Sequence, residues 1–402
     1  MFQMAAADGN LSTEGIVLMD PSLTTTLPYG APCPNGTEET RSSLEMDSIL
    51  ISKILTPIIY TLGFPGNILS FFIWIQPKMR HSSGVYLAAL ALADFVFLAL
   101  HLMFELQTVW GVEVINFPVI CEGFTIVFLT FQCLAPLLVL AFTVERYISV
   151  CHPFKGVKFC TQTRAKMVSS AMLFGSLAIC AIQGYFWQYG EEGCAIREGA
   201  LEGGNTSFWN IWSWATDLLF FLVVPMAVLV FNILVIRETK RLSKYQQTQL
   251  HGRHQKTSAT TVMLLAVSFY LIFATLPATI VYVTVLNFEN GPPCVSHDED
   301  PTWRRYWYYI LVRSVVEEIG ITHFALNFYI YLIVGKQFRK EFKQLVMKFI
   351  GKSLSESIRT EYTTFTHSLR GSVKKNMTVS LSTNGTTGSK EKDMNGGGET
   401  KL

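Results

Sequence analysis

The chain has 402 residues, of which half are hydrophobic and 15% are charged, and its formal net charge at pH 7 is +2. Soluble domains carry about 25% charged residues, so this composition excludes a water-soluble protein folded around a single core. Lipid is the expected solvent for most of the chain, and no nucleic-acid partner is expected.

Apolar runs of more than 18 residues recur seven times along the chain. Their approximate edges are 49–75, 85–107, 119–145, 166–189, 208–236, 257–287 and 305–334. Runs of this length can cross a membrane, and lipid offers their backbone groups no partners, so each is expected to be a helix. The sequence therefore predicts an all-α membrane protein, a seven-transmembrane helix bundle over residues 49–334.

Lysine and arginine concentrate in the loops after spans one, three and five, whereas the opposite loops and the N-terminal segment are acidic. The positive-inside rule then predicts a plasma-membrane protein whose N-terminus is extracellular and whose C-terminus is cytoplasmic. Residues 1–48 are expected to be largely disordered and glycosylated. The sequons on the predicted outer side are at Asn10, Asn35 and Asn205. Asn376 and Asn384 also lie in sequons, but these are in the predicted cytoplasmic tail and are expected to remain unglycosylated.

Cysteines on the outer side are the ones that meet an oxidising compartment. Cys121, at the outer end of span three, and Cys194, in the loop after span four, are expected partners. Cys33 and Cys294 are the other external cysteines and could tie the N-terminal segment to the loop before span seven. Sequence alone does not fix connectivity.

The third span contains a long uncharged run, and Glu145, Arg146 and Tyr147 follow this run directly at the inner end of the span. An acid beside an arginine at a membrane face indicates a switch. In the alternative interpretation, Arg146 has no switching role and only places its guanidinium group in the polar membrane interface.

Several other motifs occur in order along the spans. They are Gly66-Asn67, Leu90 to Asp94, Pro225, Pro277 and Asn327 to Tyr331. With the Glu145-Arg146-Tyr147 triplet and the cysteine spacing, they resemble the rhodopsin-like G-protein-coupled receptors over residues 49–350. The resemblance implies a G-protein switch in which Glu145 holds Arg146 at rest, with Tyr147, Asn327 and Tyr331 as further members.

Asp94 is the only carboxylate in the second span, and an ionisable group at this depth should face a polar interior. With Asn67 and Asn327 it could form the water-filled site where receptors of the resembled family often hold sodium. The alternative is a protonated Asp94 in a packing network. No other cofactor, no metal and no catalytic residue is expected.

Four positions depart from the usual sequence pattern of the rhodopsin-like receptors. Thr275 replaces a usual tryptophan, Phe328 replaces the proline of span seven, and Ile233 stands where a tyrosine is frequent. Pro136 is expected to interrupt the third helix. These departures predict that the linkage that opens the switch differs from the usual one.

Phe128 stands where amine receptors of this family carry an aspartate, so a monoamine ligand is not expected, but Phe128 is itself a candidate ligand contact. The outer halves of the spans instead carry four acids near one base, Arg313. The acids are Glu105, Asp217, Glu317 and Glu318. With Gln132 as a hydrogen-bonding neighbour they predict a pocket for a cationic group, from which either Glu317 or Glu318 must point away. In the alternative, Arg313 simply pairs with Glu317 at four-residue spacing.

An acidic cleft framed by aromatic residues suits a short basic or amidated peptide, and the chain resembles invertebrate neuropeptide receptors of the FMRFamide-like kind. The expected function is therefore a neuropeptide receptor that signals through a heterotrimeric G protein, and not an enzyme. A receptor for a small non-peptide ligand and a seven-helix transporter or channel are the alternatives. A transporter tends to show two related halves, and residues 49–190 and 208–334 show no repeat.

Beyond the seventh span, residues 335–352 alternate apolar and basic residues at helical spacing, which predicts an amphipathic helix in the membrane interface. Residues 353–402 have a disordered composition and are expected to form a cytoplasmic tail. Receptor kinases and arrestin are its expected partners, through the Thr and Ser cluster at 360–368. Glu399 to Leu402 match the form of a PDZ-domain ligand.

Overall fold

The structure is a computed structural model that describes residues 42–190, 193–203, 206–249, 259–284, 288, 291–292 and 295–348. The chain divides into two compact units, residues 1–341 and residues 342–402. The long helices and the hairpin described below belong to the first unit.

Helices dominate the described chain. In order they are α1 (Ser43–Trp74), α2 (Ser82–Thr108), α3 (Ile120–Cys151), α4 (Pro153–Phe159), α5 (Gln162–Cys180), α6 (Gln183–Phe186), α7 (Glu198–Leu201), α8 (Phe208–Leu218), α9 (Val224–Gln249), α10 (Ala259–Val283), α11 (Pro301–Ala325) and α12 (Asn327–Val334). A five-residue π-helix, Leu219–Val223, joins α8 to α9. Residues 336–348 are also helical, within the predicted amphipathic segment.

Six helical segments of the described chain are long and apolar enough to cross a membrane. The seventh predicted span, residues 305–334, does not meet that criterion by composition, since α11 carries Arg313, Glu317 and Glu318. It nevertheless packs lengthwise against α1 and α10. The charged α11 therefore completes the bundle as its seventh member, and the predicted fold class is confirmed.

Large apolar side chains cover the outside of this bundle. Ile58, Phe273 and Ile333 are 53%, 68% and 76% exposed. Water would oppose such exposure, whereas lipid tails solvate it. The surface is therefore that of a multi-pass membrane protein.

Two helix ends differ from the predicted edges of the apolar runs. α1 begins at Ser43, six residues before the predicted edge at 49, because the Ser42 hydroxyl caps it by accepting a hydrogen bond from the Leu44 amide over 3.3 Å. In the fourth span the helix ends at Phe186, and Trp187–Gly190 form a strand instead. Hydrophobic length thus locates the membrane segment but not the helix terminus.

The third helix extends six residues beyond its predicted edge at 145, to Cys151. Pro136 was expected to interrupt it, and that expectation is wrong, because α3 is one unbroken helix from Ile120 to Cys151. Glu145 and Arg146 accordingly lie inside its last two turns rather than at its end.

Proline has a clearer effect where α9 begins. Pro225 has no N–H, so the carbonyl of Phe221 loses its helical donor. The hydroxyl of Thr279 on α10 donates to that carbonyl over 2.9 Å. The π-helical segment and this hydrogen bond together fix α8, α9 and α10 around Phe221.

The seventh span breaks without a proline. α11 ends at Ala325 and α12 begins at Asn327, while Leu326 leaves the helical region with φ −97° and ψ 0°. The Leu326 carbonyl accepts hydrogen bonds from the amides of Tyr329 and Ile330. Phe328 therefore replaces the expected proline while the break itself is retained.

A two-stranded hairpin closes one end of the bundle. β1 (Trp187–Gly190) pairs antiparallel with β2 (Gly193–Ile196). The predicted disulfide between Cys121 and Cys194 is confirmed, with Cα atoms 5.5 Å apart. We call this the disulfide end, and the opposite end, where α3 carries Arg146, the Arg146 end.

Candidate functional site

The side chain of Arg146 meets α2 at the Arg146 end. Its Nη2 atom donates to Ser83 Oγ over 2.6 Å. Glu145 Oε1 accepts hydrogen bonds from Ser82 over 2.8 Å and from Ser83 over 3.1 Å. Ser83 therefore touches both members of the predicted switch.

The predicted direct contact between Glu145 and Arg146 is not the one the structure shows. Within the described chain no ion pair of 4.0 Å or less joins the two side chains, and the Ser83 hydroxyl bridges them instead. Ser83 is 1% exposed and Glu145 8% exposed. Neighbouring residues on a helix point about 100° apart, and here both side chains turn to the serines at the start of α2 instead of to each other.

The other predicted switch residues lie in separate contacts. Tyr147 packs on His152 and on Phe231 of α9, with ring centroids 5.6 and 5.3 Å apart. Tyr331 is buried against Trp74 and Phe338 at 5.5 and 5.3 Å. Among the predicted switch residues, only Glu145 and Arg146 therefore hydrogen-bond to a common residue within the described chain.

Asp94 lies fully buried in the middle of the bundle. Asn327 Nδ2 donates to Asp94 Oδ2 over 2.8 Å. Asn67 Nδ2 donates to the carbonyl of Phe324, three residues before Asn327, over 2.7 Å. Within the described chain, Asp94 Oδ1 and Asn67 Oδ1 are buried without a hydrogen-bond partner. Two acceptor oxygens are thus available at a site with one acidic side chain.

At the disulfide end, Arg313 pairs with one of the predicted acids. Its Nε lies 3.1 Å from Glu317 Oε1, and its guanidinium lies 4.9 Å from the centre of the Tyr282 ring. The Tyr282 hydroxyl also donates to Glu317. The pairing at four-residue spacing, weighed above as an alternative, is therefore present.

Two small cavities meet beside this pair. One is lined by Gln132, Thr275, Glu317 and His323, among others. The next is lined by Asp217, Thr279 and Tyr282, and Phe221 borders both. The structure thus brings the predicted ligand contacts Gln132, Asp217, Arg313 and Glu317 into one region.

Phe128 has a different environment. It is 2% exposed and packs against Phe97, Phe124 and Phe104 with ring centroids 5.4, 5.6 and 5.8 Å apart. It does not line either of the two cavities described. Phe128 therefore belongs to a packed aromatic cluster between α2 and α3.

Glu105 and Glu318 lie away from the cavities, where α1, α2 and α11 meet. Thr56 Oγ1 donates to Glu318 Oε1 over 2.7 Å. Glu105 Oε1 lies 4.0 Å from His101 Nε2, and His101 Nδ1 bonds the Tyr60 hydroxyl over 2.7 Å. Of the adjacent acids on α11, Glu317 thus faces α10 and Glu318 faces α1.

The loop before α11 holds the start of α1. Asp298 Oδ1 accepts a hydrogen bond from the Ser42 hydroxyl over 2.7 Å and from the Ser43 amide over 3.1 Å. The Ser42 hydrogen bond lowers the pKa of the Asp298 carboxyl below its ordinary value. This contact joins the start of α1 to the loop before α11.

Several predicted sites lie outside the described residues. They are Asn10, Asn35, Asn205, Cys33, Cys294 and the tail from 353 to 402. Metal binding was not expected, and the described residues contain no group of three or more His, Cys, Asp or Glu side chains that could hold a metal ion.

Sequence reasoning missed Ser83 and the role of Thr56. Neither residue has a distinctive signal, because serine at a helix start and threonine within an apolar helix are both frequent. Each gains its role only from a carboxylate on another helix, 62 and 262 residues away along the chain.

Comparison with known proteins places these features in a family. Residues 66–319 match the family model described as 7 transmembrane receptor (rhodopsin family). The chain is 25% identical to the FMRFamide receptor of Drosophila melanogaster, over 74% of this chain and 54% of that receptor. It therefore spans about half the length of that relative.

Two vertebrate receptors show similar identity over more of their own length. Neuromedin-U receptor 2 of Rattus norvegicus is 26% identical over 78% of this chain and 80% of that receptor. Growth hormone secretagogue receptor type 1 of Homo sapiens is 24% identical over 70% of this chain and 76% of that receptor.

Proposed function

Because the chain belongs to the rhodopsin family of seven-transmembrane receptors, we propose that it is a G-protein-coupled receptor for a short basic or amidated neuropeptide. The relatives above are named as receptors for FMRFamide and neuromedin U. Membership of a receptor family argues against the transporter or channel alternative. Within the family, the excess of acids over bases at the disulfide end carries the choice of a cationic ligand.

The ligand enters at the disulfide end in this proposal. Gln132, Asp217 and Glu317 border adjoining cavities there, and Arg313 fixes the orientation of Glu317. A cationic group gains most from carboxylates that are shielded from water, because opposite charges attract more strongly at low dielectric. The buried Phe128 supports the packing behind the site and does not itself contact the ligand.

The G protein binds at the Arg146 end. In the state described here, Ser83 holds Arg146 against α2. Ligand binding would favour a second state in which Arg146 leaves Ser83 and meets the G protein. The orientation that this requires places the N-terminus outside the cell and the tail inside, where receptor kinases, arrestin and a PDZ-domain protein are further proposed partners.

A sodium ion is a proposed ligand of the central polar site. Asp94 and Asn67 each present a buried oxygen without a hydrogen-bond partner in the described chain, and Asn327 orients the Asp94 carboxylate. Hard monovalent cations are bound by oxygen ligands of this kind, so the residues fit the ion. Bound there, sodium would neutralise a carboxylate that lipid and protein otherwise leave unsolvated.

A second disulfide between Cys33 and Cys294 is also proposed. The contact of Ser42 and Ser43 with Asp298 supports it, since both cysteines lie within ten residues of that contact along the chain. The proposed sugar sites are Asn10, Asn35 and Asn205.

A peptide screen tests the proposed function. Cells expressing the full-length receptor are challenged with a library of short amidated and free peptides, and calcium and cyclic AMP are read out. Some amidated peptides with Arg or Lys should activate the receptor, and Arg146→Ala should abolish the response at equal surface expression. Activation by small non-peptide compounds alone, or a response that survives Arg146→Ala, would contradict the proposal.

A further inference from the structure

The cavity lined by Gln132, Thr275, Glu317 and His323 contains two polar side chains that the protein leaves unsatisfied. His323 Nε2 and Gln132 Oε1 are buried without a hydrogen-bond partner in the described chain, and the two residues are 6% and 2% exposed. A buried polar atom in that condition is costly unless another group meets it. The cavity is therefore suited to a ligand group that can hydrogen-bond to both atoms.

The hydrogen bond on the other side of the His323 ring decides what Nε2 can do. His323 Nδ1 lies 2.5 Å from the carbonyl oxygen of Gly320. A carbonyl oxygen only accepts, so Nδ1 carries the proton, and in a neutral imidazole Nε2 is then an acceptor. The oxygen of the Gln132 amide is an acceptor as well. The two unsatisfied atoms at the cavity are therefore both acceptors.

The two other polar side chains that line this cavity in the described chain supply no donor to it. The Thr275 hydroxyl donates to the Leu271 carbonyl on its own helix over 2.8 Å. Glu317 is a carboxylate whose charge is already paired with Arg313 over 3.1 Å. An anion entering the cavity would face this carboxylate and two further acceptors, and a cation would meet an acid that is already neutralised. The cavity is therefore matched to a neutral group with two N–H donors.

The position of the cavity along α11 indicates which part of a peptide can reach it. His323 is six residues after Glu317, or about 9 Å along the helix axis, and α11 starts at Pro301 near the disulfide end. Phe221 borders both this cavity and the one that Asp217 lines. His323 is thus at the deep end of the ligand region, and a narrow cavity at that depth admits the end of a peptide chain rather than its middle.

We infer that this cavity is the subsite for the C-terminal carboxamide of an amidated peptide, whose NH2 group donates one hydrogen to His323 Nε2 and the other to Gln132 Oε1. A free C-terminal carboxylate has no hydrogen to donate to either atom. The basic side chain of the peptide is then left to the neighbouring cavity, which Asp217 borders. The inference rests on the proposed peptide-receptor function and assigns the terminus of the ligand to a defined place.

The test compares ligand termini on matched receptor variants. Each peptide that activates the wild type is made as its primary amide, as its free acid and as its methyl ester, which is neutral and of similar size but has no N–H. The receptors are wild type, His323→Leu, Gln132→Leu, His323→Gln and the control Tyr270→Phe. The Tyr270 hydroxyl donates to Thr322 over 2.7 Å, so the control removes a contact between α10 and α11 without removing an acceptor from the cavity. Surface expression of the full-length receptor is measured in every case.

On the wild type the amide should be about 100-fold more potent than the methyl ester, because each of two buried acceptors loses its donor at a cost of about tenfold. The free acid should be weaker still, since it brings a second carboxylate towards Glu317. His323→Leu and Gln132→Leu should each reduce the amide-to-ester ratio about tenfold by lowering the potency of the amide. His323→Gln, whose side chain can place an acceptor near the Nε2 position, should keep most of the ratio, and Tyr270→Phe should keep all of it.

Two results would overturn the inference while leaving the proposed function intact. Equal potency of amide and ester on the wild type would mean that the C-terminus donates no hydrogen bond in a buried site. A ratio that is unchanged in both Leu variants would place the carboxamide elsewhere. Because the ratio compares two ligands on one receptor, a lower amount of folded receptor does not by itself change it, and the wild-type comparison needs no variant. If no peptide activates the wild type, the proposed function fails, and the subsite fails with it.

Discussion

Arg146 donates a hydrogen bond to Ser83 over 2.6 Å. Because the same hydroxyl donates to Glu145 over 3.1 Å, one buried serine on α2 connects the arginine of the switch to its neighbouring acid. The contact that holds Arg146 therefore joins two helices, and we expect a relative shift of α2 and α3 to break it.

Replacing Ser83 with alanine should raise basal signalling. A hydrogen bond to a charged group is worth about 1.5–3 kcal/mol, and every 1.4 kcal/mol changes a two-state population about tenfold. We expect basal G-protein signal per surface receptor to rise several-fold in Ser83→Ala, and also in Glu145→Gln. Ser82→Ala is the matched control, because Ser82 contacts Glu145 but not Arg146 among the described hydrogen bonds. Basal signal equal to wild type in Ser83→Ala would exclude the bridge as a restraint.

Removing the Arg313 guanidinium should destabilise the receptor. Its side chain is 5% exposed and that of Glu317 20% exposed, and loss of one partner of a buried pair costs about 3–5 kcal/mol, at the lower end here because Glu317 is partly solvated. Arg313→Gln should lower the thermal inactivation temperature of detergent-solubilised receptor, and Arg313→Gln with Glu317→Gln should recover part of that loss. Arg304→Gln, on the exposed face of α11, should change little. A double variant no better than the single one would show that the pair is not the cause.

Sodium should stabilise the state in which Arg146 is held, because Asp94 and Asn327 are already in contact in that state and a ligand favours the state it binds. Replacing sodium by N-methylglucamine at constant ionic strength should therefore raise basal signalling of the wild type. In Asp94→Asn, which keeps the shape and removes the charge, the exchange should have no effect. Sodium dependence that persists in Asp94→Asn would place the ion elsewhere.

Glycosylation should distinguish the two ends of the chain. Asn10→Gln, Asn35→Gln and Asn205→Gln should each reduce the glycosidase-sensitive mass of the surface receptor. Asn376→Gln and Asn384→Gln should leave that mass unchanged, because the proposed tail lies in the cytoplasm. Sugar on either tail residue would reverse the proposed orientation.

Much of this architecture follows from residue chemistry alone. The thickness of the hydrocarbon core sets the length of each apolar run, so the seven spans were predictable even where α11 carries charge. The high cost of an ionisable group in the membrane was enough to place Asp94 in the interior, and the resemblance to rhodopsin-like receptors implied Asn327 as its neighbour. Four cysteines on the predicted outer side leave the connectivity open, and the pairing of Cys121 with Cys194 was expected from their positions at the outer end of span three and in the loop after span four.

Other features depend on which helix faces which. Glu317 and Glu318 are adjacent, yet one meets Tyr282 and the other Thr56. Likewise, the charge at Arg146 was visible in the sequence, but its partner Ser83 was not. Sequence periodicity defines the faces of a helix but not its neighbours, since rotation and crossing angle are set by packing against other helices. The sequence by itself determined the spans and their polar residues, and only the tertiary structure decided how those residues are paired.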